Sequence, residues 1–449
     1  MKTGLENQTI ANGRAPVGTP ATEPEDGVVE QPYQTSADDH SVVVNPDLRM
    51  LDDVGDELGK NIESAINASN YISTLEAWAT TLESLDGELS RETQVATELL
   101  LNLTTHNTGL SSVDVIPSME DLASSVRSAG QLRVYAEKLI EALLKLLKKV
   151  GELFNKFIEI ITSSMRTLRA EIAIARTHLL RAKGGRAKQQ RISMGRHADF
   201  ISIRGMPLLN GGELYAALQD VGELADATLN SHLFAVLDCG KELVKIASSE
   251  GFPNPRATEA RIGRAFMMLS KSTLAALCNK SVGSDTRFQQ KGYVTTASKG
   301  LIGNRTVFKK LPEHENNTDD GYASYEFGET RVVGSRGEYR AKDNSFQTID
   351  IGQCGRLLDK CEEYCDMLDK FARGNGQTRL SEVLGDLRGI IQRRAKDGSL
   401  TGETADLIHG SATAFTESCA NPMRRLNTHL IHTMEVVVDL VTSSAKVYD

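Results

Sequence analysis

Aromatic residues are scarce. They make up 5% of the 449 residues, and tryptophan occurs once, at Trp78. A core drawn from Leu, Ile, Val and Ala suits helix-on-helix packing better than a sandwich. Cysteine is also sparse and confined to the second half, at Cys239, Cys278, Cys354, Cys361, Cys365 and Cys419, with no CxxC pair. The first residues lack the apolar core of a secretory signal, so free thiols in a reducing compartment are expected. No apolar run reaches the roughly 18 residues of a membrane span. The glycine clusters at 183–186 and 374–376 do not follow a strand and open a helix, as a phosphate cradle requires. There is no nucleophile elbow either, so the sequence shows no enzyme active site, catalytic residue or cofactor site.

What is present is a strong charge asymmetry. The net charge is −9, yet residues 1–126 hold 5 basic and 22 acidic side chains, whereas residues 127–196 hold 16 basic and 5 acidic ones. An acidic third followed by a basic centre points to self-masking or to a polyanionic partner.

The expected fold is mainly α: long amphipathic helices in a bundle, a small antiparallel β insertion, and a disordered N-terminus. Residues 1–48, with five of the chain's 11 prolines and with glycines among acids, read as an acidic disordered tail. Residues 49–120 read as an acidic helical region with two stripes. One is Ile62, Ile66, Ile72, Leu75, Ala79 and Leu82; the other is Val95, Leu99 and Leu103. Residues 121–204 are the basic long-helix region. There Leu139, Leu143, Leu146, Val150, Phe154, Phe157, Ile161 and Met165 recur every three or four residues, in one very long helix or two in series. Residues 186–204 read as irregular. A helical domain is expected at 205–286, with Asn210 and Asn254-Pro255 as caps. The β insertion is expected at 287–352, in short runs around 292–296, 305–308, 322–327, 330–333 and 346–351. Helix resumes over 353–449, with breaks near Gly374, Gly398 and Asn421-Pro422.

Three constellations invite chemistry. Cys354, Cys361 and Cys365 share a helical face, as a metal or redox site would, but buried thiols acting as small hydrophobes explain them as well. His429 and His432 are three apart, with His409 upstream, but no acidic partner or HExxH motif accompanies them. The third is the basic run. Lys145, Lys148, Lys149, Lys156, Arg166, Arg169, Arg176, Arg181, Lys183, Arg186, Lys188 and Arg191 are candidate contacts to DNA phosphates. Without interleaved aromatics such binding is electrostatic and sequence-blind. The alternative for the 136–165 helix is an amphipathic surface lying on an anionic membrane.

The stretch "EKLIEALLKLLKKVGELFNKFIEIIT" at 137–162, then "RTLRAEIAIARTHLLRAK" at 166–183 and "GLIGNRTVFKKLP" at 300–312, resembles the internal head proteins of large tailed phages of the phiKZ type. The resemblance implies a virion structural protein packaged with genomic DNA among other capsid or inner-head proteins and ejected with the genome. It also implies a prohead protease that cuts after Glu in Ser/Ala/Gly-x-Glu patterns to remove an N-terminal propeptide. Ala21-Thr22-Glu23, Ser90-Arg91-Glu92 and Ser118-Met119-Glu120 fit that pattern. The last site is favoured, because losing 5 basic and 21 acidic side chains would leave a mature chain of +7.

Overall fold

A computed structural model describes residues 46–84, 93, 95–97, 99–100, 103–104, 129–182, 185–249, 254–282, 293–312, 324–329, 345–396 and 403–448. The three Glu triplets, including Ser118, Met119 and Glu120, and the candidate Lys183 lie outside these residues, as does nearly all of the expected tail.

The basic centre forms one helix, α2 (Ala129–Ala182), of 54 residues. At 1.5 Å per residue it is about 80 Å long. Leu139, Leu143, Val150, Phe154, Phe157, Ile161 and Met165 are each at most 3% exposed. Leu146 is half-buried and Leu147 takes the buried position instead.

Antiparallel to α2 runs α1 (Pro46–Glu83), which begins inside the expected tail. Its first half places Leu51, Val54, Leu58 and Ile62 in a core shared with Val150–Leu179 of α2. Its second half packs Ala65, Ala68, Ile72, Leu75, Ala79 and Leu82 against Leu132–Leu147. Seven of these ten are Leu, Ile or Val. Their burial contributes on the order of 10–20 kcal/mol of transfer free energy before the entropy of ordering the helix is subtracted. The second expected stripe is corrected: Val95, Leu99 and Leu103 are exposed, and Thr97 and Thr104 face inward. Trp78 Nε1 donates to Thr97 Oγ1 at 2.8 Å. A hydroxyl that meets the indole donor occupies the inward position, which a purely apolar pattern misses.

The next helices are α3 (Gly211–Ala227), α4 (Leu233–Ser248), α5 (Pro255–Ser270) and the short α6 (Thr273–Leu277), with a π-helical turn at Thr228–His232 joining α3 to α4. Asn210 accepts from the Gly212 and Glu213 amides and Asn254 from the Ala257 amide, as N-caps do.

The β insertion is a four-stranded antiparallel sheet of Lys280–Ser281, Tyr293–Ala297, Arg305–Pro312 and Ser324–Glu329, in that order. The strand at Ser345–Gln347 does not join it. It pairs instead with Arg191–Ser193, setting Phe346 (0% exposed) opposite Ile192, so the segment expected to be irregular contributes a strand. Within the 300–312 stretch, Gly303 has φ +72 and a Cβ there would lie 2.9 Å from the Phe200 ring. Only glycine fits both conditions. The following Asn304 (φ +54) is a residue that tolerates the left-handed region.

The C-terminal part is α7 (Ile351–Arg373), α8 (Asn375–Lys396) and α9 (Glu403–Tyr448). The expected break at Asn421-Pro422 is absent, because α9 runs through it. Pro422 has no amide to give to the Ser418 carbonyl four residues earlier. His232 Nε2, from the π turn, hydrogen-bonds that carbonyl at 3.2 Å. Beyond the proline α9 is buried on nearly every side, by Met423, Leu426, Leu430, Ile431, Met434, Val436, Val437, Val438, Leu440 and Val441, as expected of a helix at the centre of a bundle.

Replacing His232 by Ala leaves a buried carbonyl unpaired and should cost about 1–3 kcal/mol in urea denaturation. The same substitution in a Pro422→Ala background should cost markedly less, because the new amide takes the Ser418 carbonyl. Additive losses in the double variant would show that the two residues do not serve the same carbonyl.

Candidate nucleic-acid interface

The solvent side of α2 carries the basic candidates, and the structure divides them into two groups. Lys145, Lys156, Arg166 and Arg181 on α2, and Arg186 and Lys188 just beyond it, are exposed and make no ion pair with a described residue. The others have partners within the chain. Lys148 meets Glu152 at 3.5 Å, Lys149 meets Glu57 of α1 at 2.9 Å, and Arg191 donates to Ser345 Oγ at 3.0 Å. Lys149 also holds the Glu57 carboxyl below its ordinary range, chiefly through that hydrogen bond. Lys145 and Lys156 are eleven residues apart, three turns of helix, so they point in nearly the same direction. Exposed Glu152 and Glu159 interrupt the row.

Arg169 and Arg176 face α7. Arg169 reaches Asp366 at 2.8 Å and Asp369 at 2.7 Å. Arg176 grips Glu362 through two nitrogens, at 3.0 and 2.8 Å, and Asp359 at 2.6 Å. These hydrogen bonds, Glu362's first, raise the guanidinium's affinity for its proton further. As α2 numbers rise, α7 numbers fall, so the helices run antiparallel and the pairs form a ladder. The pairs are largely solvent-exposed, and each contributes about 0–1 kcal/mol. Sequence reasoning missed the acidic half of the ladder. Its signal is in the spacing: Asp359, Glu362, Asp366 and Asp369 fall at i, i+3, i+7 and i+10, one face of a helix.

The apolar side of α2 is not available to a membrane, because α1 and the central core cover it. Among the described residues no helix is long and apolar enough to cross one. A cavity of about 830 Å³ between α3, α4 and α7 is lined by Glu223, Asp226 and Glu363 as well as Lys360, Lys370 and Arg379. Its mixed charges converge on no single ligand chemistry.

The three-cysteine face is in the core. Burial pushes the Cys354 and Cys365 thiols up to about 12, and Cys361 well above its usual range. They are protonated hydrophobes at neutral pH. Among the described residues no three His, Cys, Asp or Glu side chains gather as a metal site requires. His429 and His432 flank the Phe200 ring, with centroids 5.4 and 4.7 Å away. His409 is fully buried with neither ring nitrogen hydrogen-bonded. Burial lowers His232 and His409 to about 4 and His429 to about 3.

These three histidines make the fold acid-labile. The unfolded chain takes up their protons as pH falls through about 6.5, whereas the folded chain resists until about 4. Stability is therefore full above 6.5 and declines steadily between 6.5 and 4. Over its full titration each histidine is worth on the order of 3–5 kcal/mol. Urea midpoints measured from pH 7.5 to 4.5 should fall, and His409→Leu should flatten the decline. An unchanged pH slope in that variant would count against the assignment.

A family model described as phiKZ-like phage internal head proteins matches residues 47–442. No curated protein and no solved structure matches the chain. The match opens at the second residue of α1 and closes within α9, so it spans both core clusters, the α2–α7 ladder and the β insertion. The chain belongs to the phiKZ-like phage internal head proteins.

Proposed function

We propose that this protein is a structural component packed with genomic DNA inside the phage head, and that it touches the DNA through the solvent side of α2. The observation that carries this reading is the set of exposed cations that make no ion pair with a described residue: Lys145, Lys156, Arg166, Arg181, Arg186 and Lys188. Helical lysines and arginines without stacking rings recognise phosphate and not sequence. Arg169 and Arg176 are a different case, because their carboxylate partners compete with phosphate for the same guanidinium. The role is architectural, with other inner-head proteins as neighbours and no catalytic step. The chain is made in the host cytoplasm, meets the prohead protease during assembly, and accompanies the genome when it leaves the head.

The expected result is that the full-length chain binds duplex DNA weakly and without sequence preference, with affinity falling steeply with salt. Reversing Lys145, Lys156, Arg166 and Arg181 to Glu should lower affinity at least tenfold at about 50 mM salt. The salt slope should become shallower by about 3–4, at about 0.9 per lost phosphate contact. Reversing Lys148 and Lys149 alone should do less. Fluorescence anisotropy across a salt series measures both quantities. Binding that ignores salt, or that survives the fourfold reversal, would overturn the assignment.

A further inference from the structure

We infer that α1 remains bound to the body of the protein after any cut in the chain between α1 and α2, so the acidic segment 46–83 is permanent and only what precedes it can be shed. This inference bears on the proposed processing, since the favoured triplet Ser118-Met119-Glu120 falls in that connection.

Three features hold α1 independently of the chain that joins it to α2. The first is the apolar seam, in which ten residues from Leu51 to Leu82 are each at most 6% exposed. Without α1, Leu132, Leu139, Leu143, Leu147 and Val150 of α2 would face water. The second is Arg424 of α9, which is 3% exposed. Its guanidinium lies over Gly55 and Gly59, one turn apart on α1, and a Cβ at Gly59 would stand 3.1 Å from Nη2. Asp56 Oδ1 lies 3.7 Å from Nη1, and Asp52 is the other carboxylate whose charge acts on it. Burial lowers the Arg424 pKa to about 10, and burial with its acidic neighbours raises that of Asp52. Removing α1 would uncover Arg424 and take away both carboxylates that act on its charge, so the notch that receives the guanidinium is part of the α1 contact. The third is the Lys149–Glu57 pair, which fixes the register of α1 on α2 at the surface.

The family match agrees with this boundary, because it begins at residue 47 and not beyond 120. The consequence concerns charge. Residues 46–83 carry eight acidic and two basic side chains. A cut after Glu120 would not unmask a +7 chain, since these acids stay in place beside Lys149 and Arg424. A cut after Glu23, in Ala21-Thr22-Glu23, would leave all of α1 in the chain.

The test places a site-specific protease recognition sequence between residues 107 and 110 of the full-length chain, cuts to completion as read on a denaturing gel, and compares native and denatured behaviour. The expected result is that both fragments co-elute in size exclusion at about 1 µM, with native mass spectrometry giving one of each per particle. Elution of the α1 fragment apart from a folded remainder would overturn the inference. In the cut chain, Leu58→Asp with Leu75→Asp should release the fragment, and retention despite both would show that the seam is not what holds it. A two-to-two assembly would also overturn the one-to-one account in favour of exchange of α1 between copies. Peptide mapping of purified particles separates this from processing. Lack of an N-terminus at Asp121 sinks cleavage after Glu120 without touching the result of the engineered cut. An N-terminus there, with peptides of 46–83 depleted relative to 134–182, sinks the retention of α1.

Discussion

The constraint behind the architecture is that α9 has almost no solvent face. A helix in that position must satisfy its backbone and its polar side chains from within the protein. It does so in part, by drawing on the layers around it, while the ring nitrogens of His409 and the side-chain amide of Asn427 stay buried without a hydrogen bond among the described residues. The carbonyl freed by Pro422 takes a hydrogen bond from His232 in the π turn. Ser444 accepts from the Ile349 amide just ahead of α7, and Asp439 holds His197 at 2.8 Å. Arg424 is received by the glycine notch on α1. The surrounding elements are positioned as much by these polar contacts as by the apolar surface they bury.

The charge on α2 is divided by helix direction. Cations pointing towards α7 or α1 meet carboxylates of those helices, Lys148 meets Glu152 on α2 itself, and Lys145, Lys156, Arg166 and Arg181 make no ion pair with a described residue. A region that carries 16 basic residues among 70 thus divides its cations between pairs that cross to neighbouring helices and side chains left open to solvent. The acidic third has a matching double role, because Glu57 neutralises Lys149 on the surface while Asp52 and Asp56 answer Arg424 inside.

Features governed by local periodicity were legible in the sequence. The α2 stripe, the caps at Asn210 and Asn254 and the antiparallel strands at Tyr293–Ala297 and Arg305–Pro312 each follow from neighbours within a few residues. Features set by distant partners were not. Pro422 reads as a break unless His232, 190 positions earlier, is known to supply a donor. Phe346 reads as part of the insertion unless Ile192 is known to lie beside it. The basic candidates were visible as a group, but their separation into paired and unpaired cations depends on an acidic face of α7 nearly 200 residues away. The inward position of Thr97 depended on the single indole of Trp78.

Because α9 follows every other described helix in sequence, it is made after them on the ribosome. The α1–α2 hairpin is complete before any later helix exists, so the longest apolar stripe in the protein acquires a cover early. The axis of the bundle, by contrast, waits for the 46 residues of α9, which take roughly 2–10 s to synthesise. Until then the inner faces of α3, α4 and α7 stand around an unfilled axis. Nascent chains in which α9 has not yet been made therefore expose the largest apolar surface after α1 and α2 have paired, and that interval is when they are most prone to aggregate.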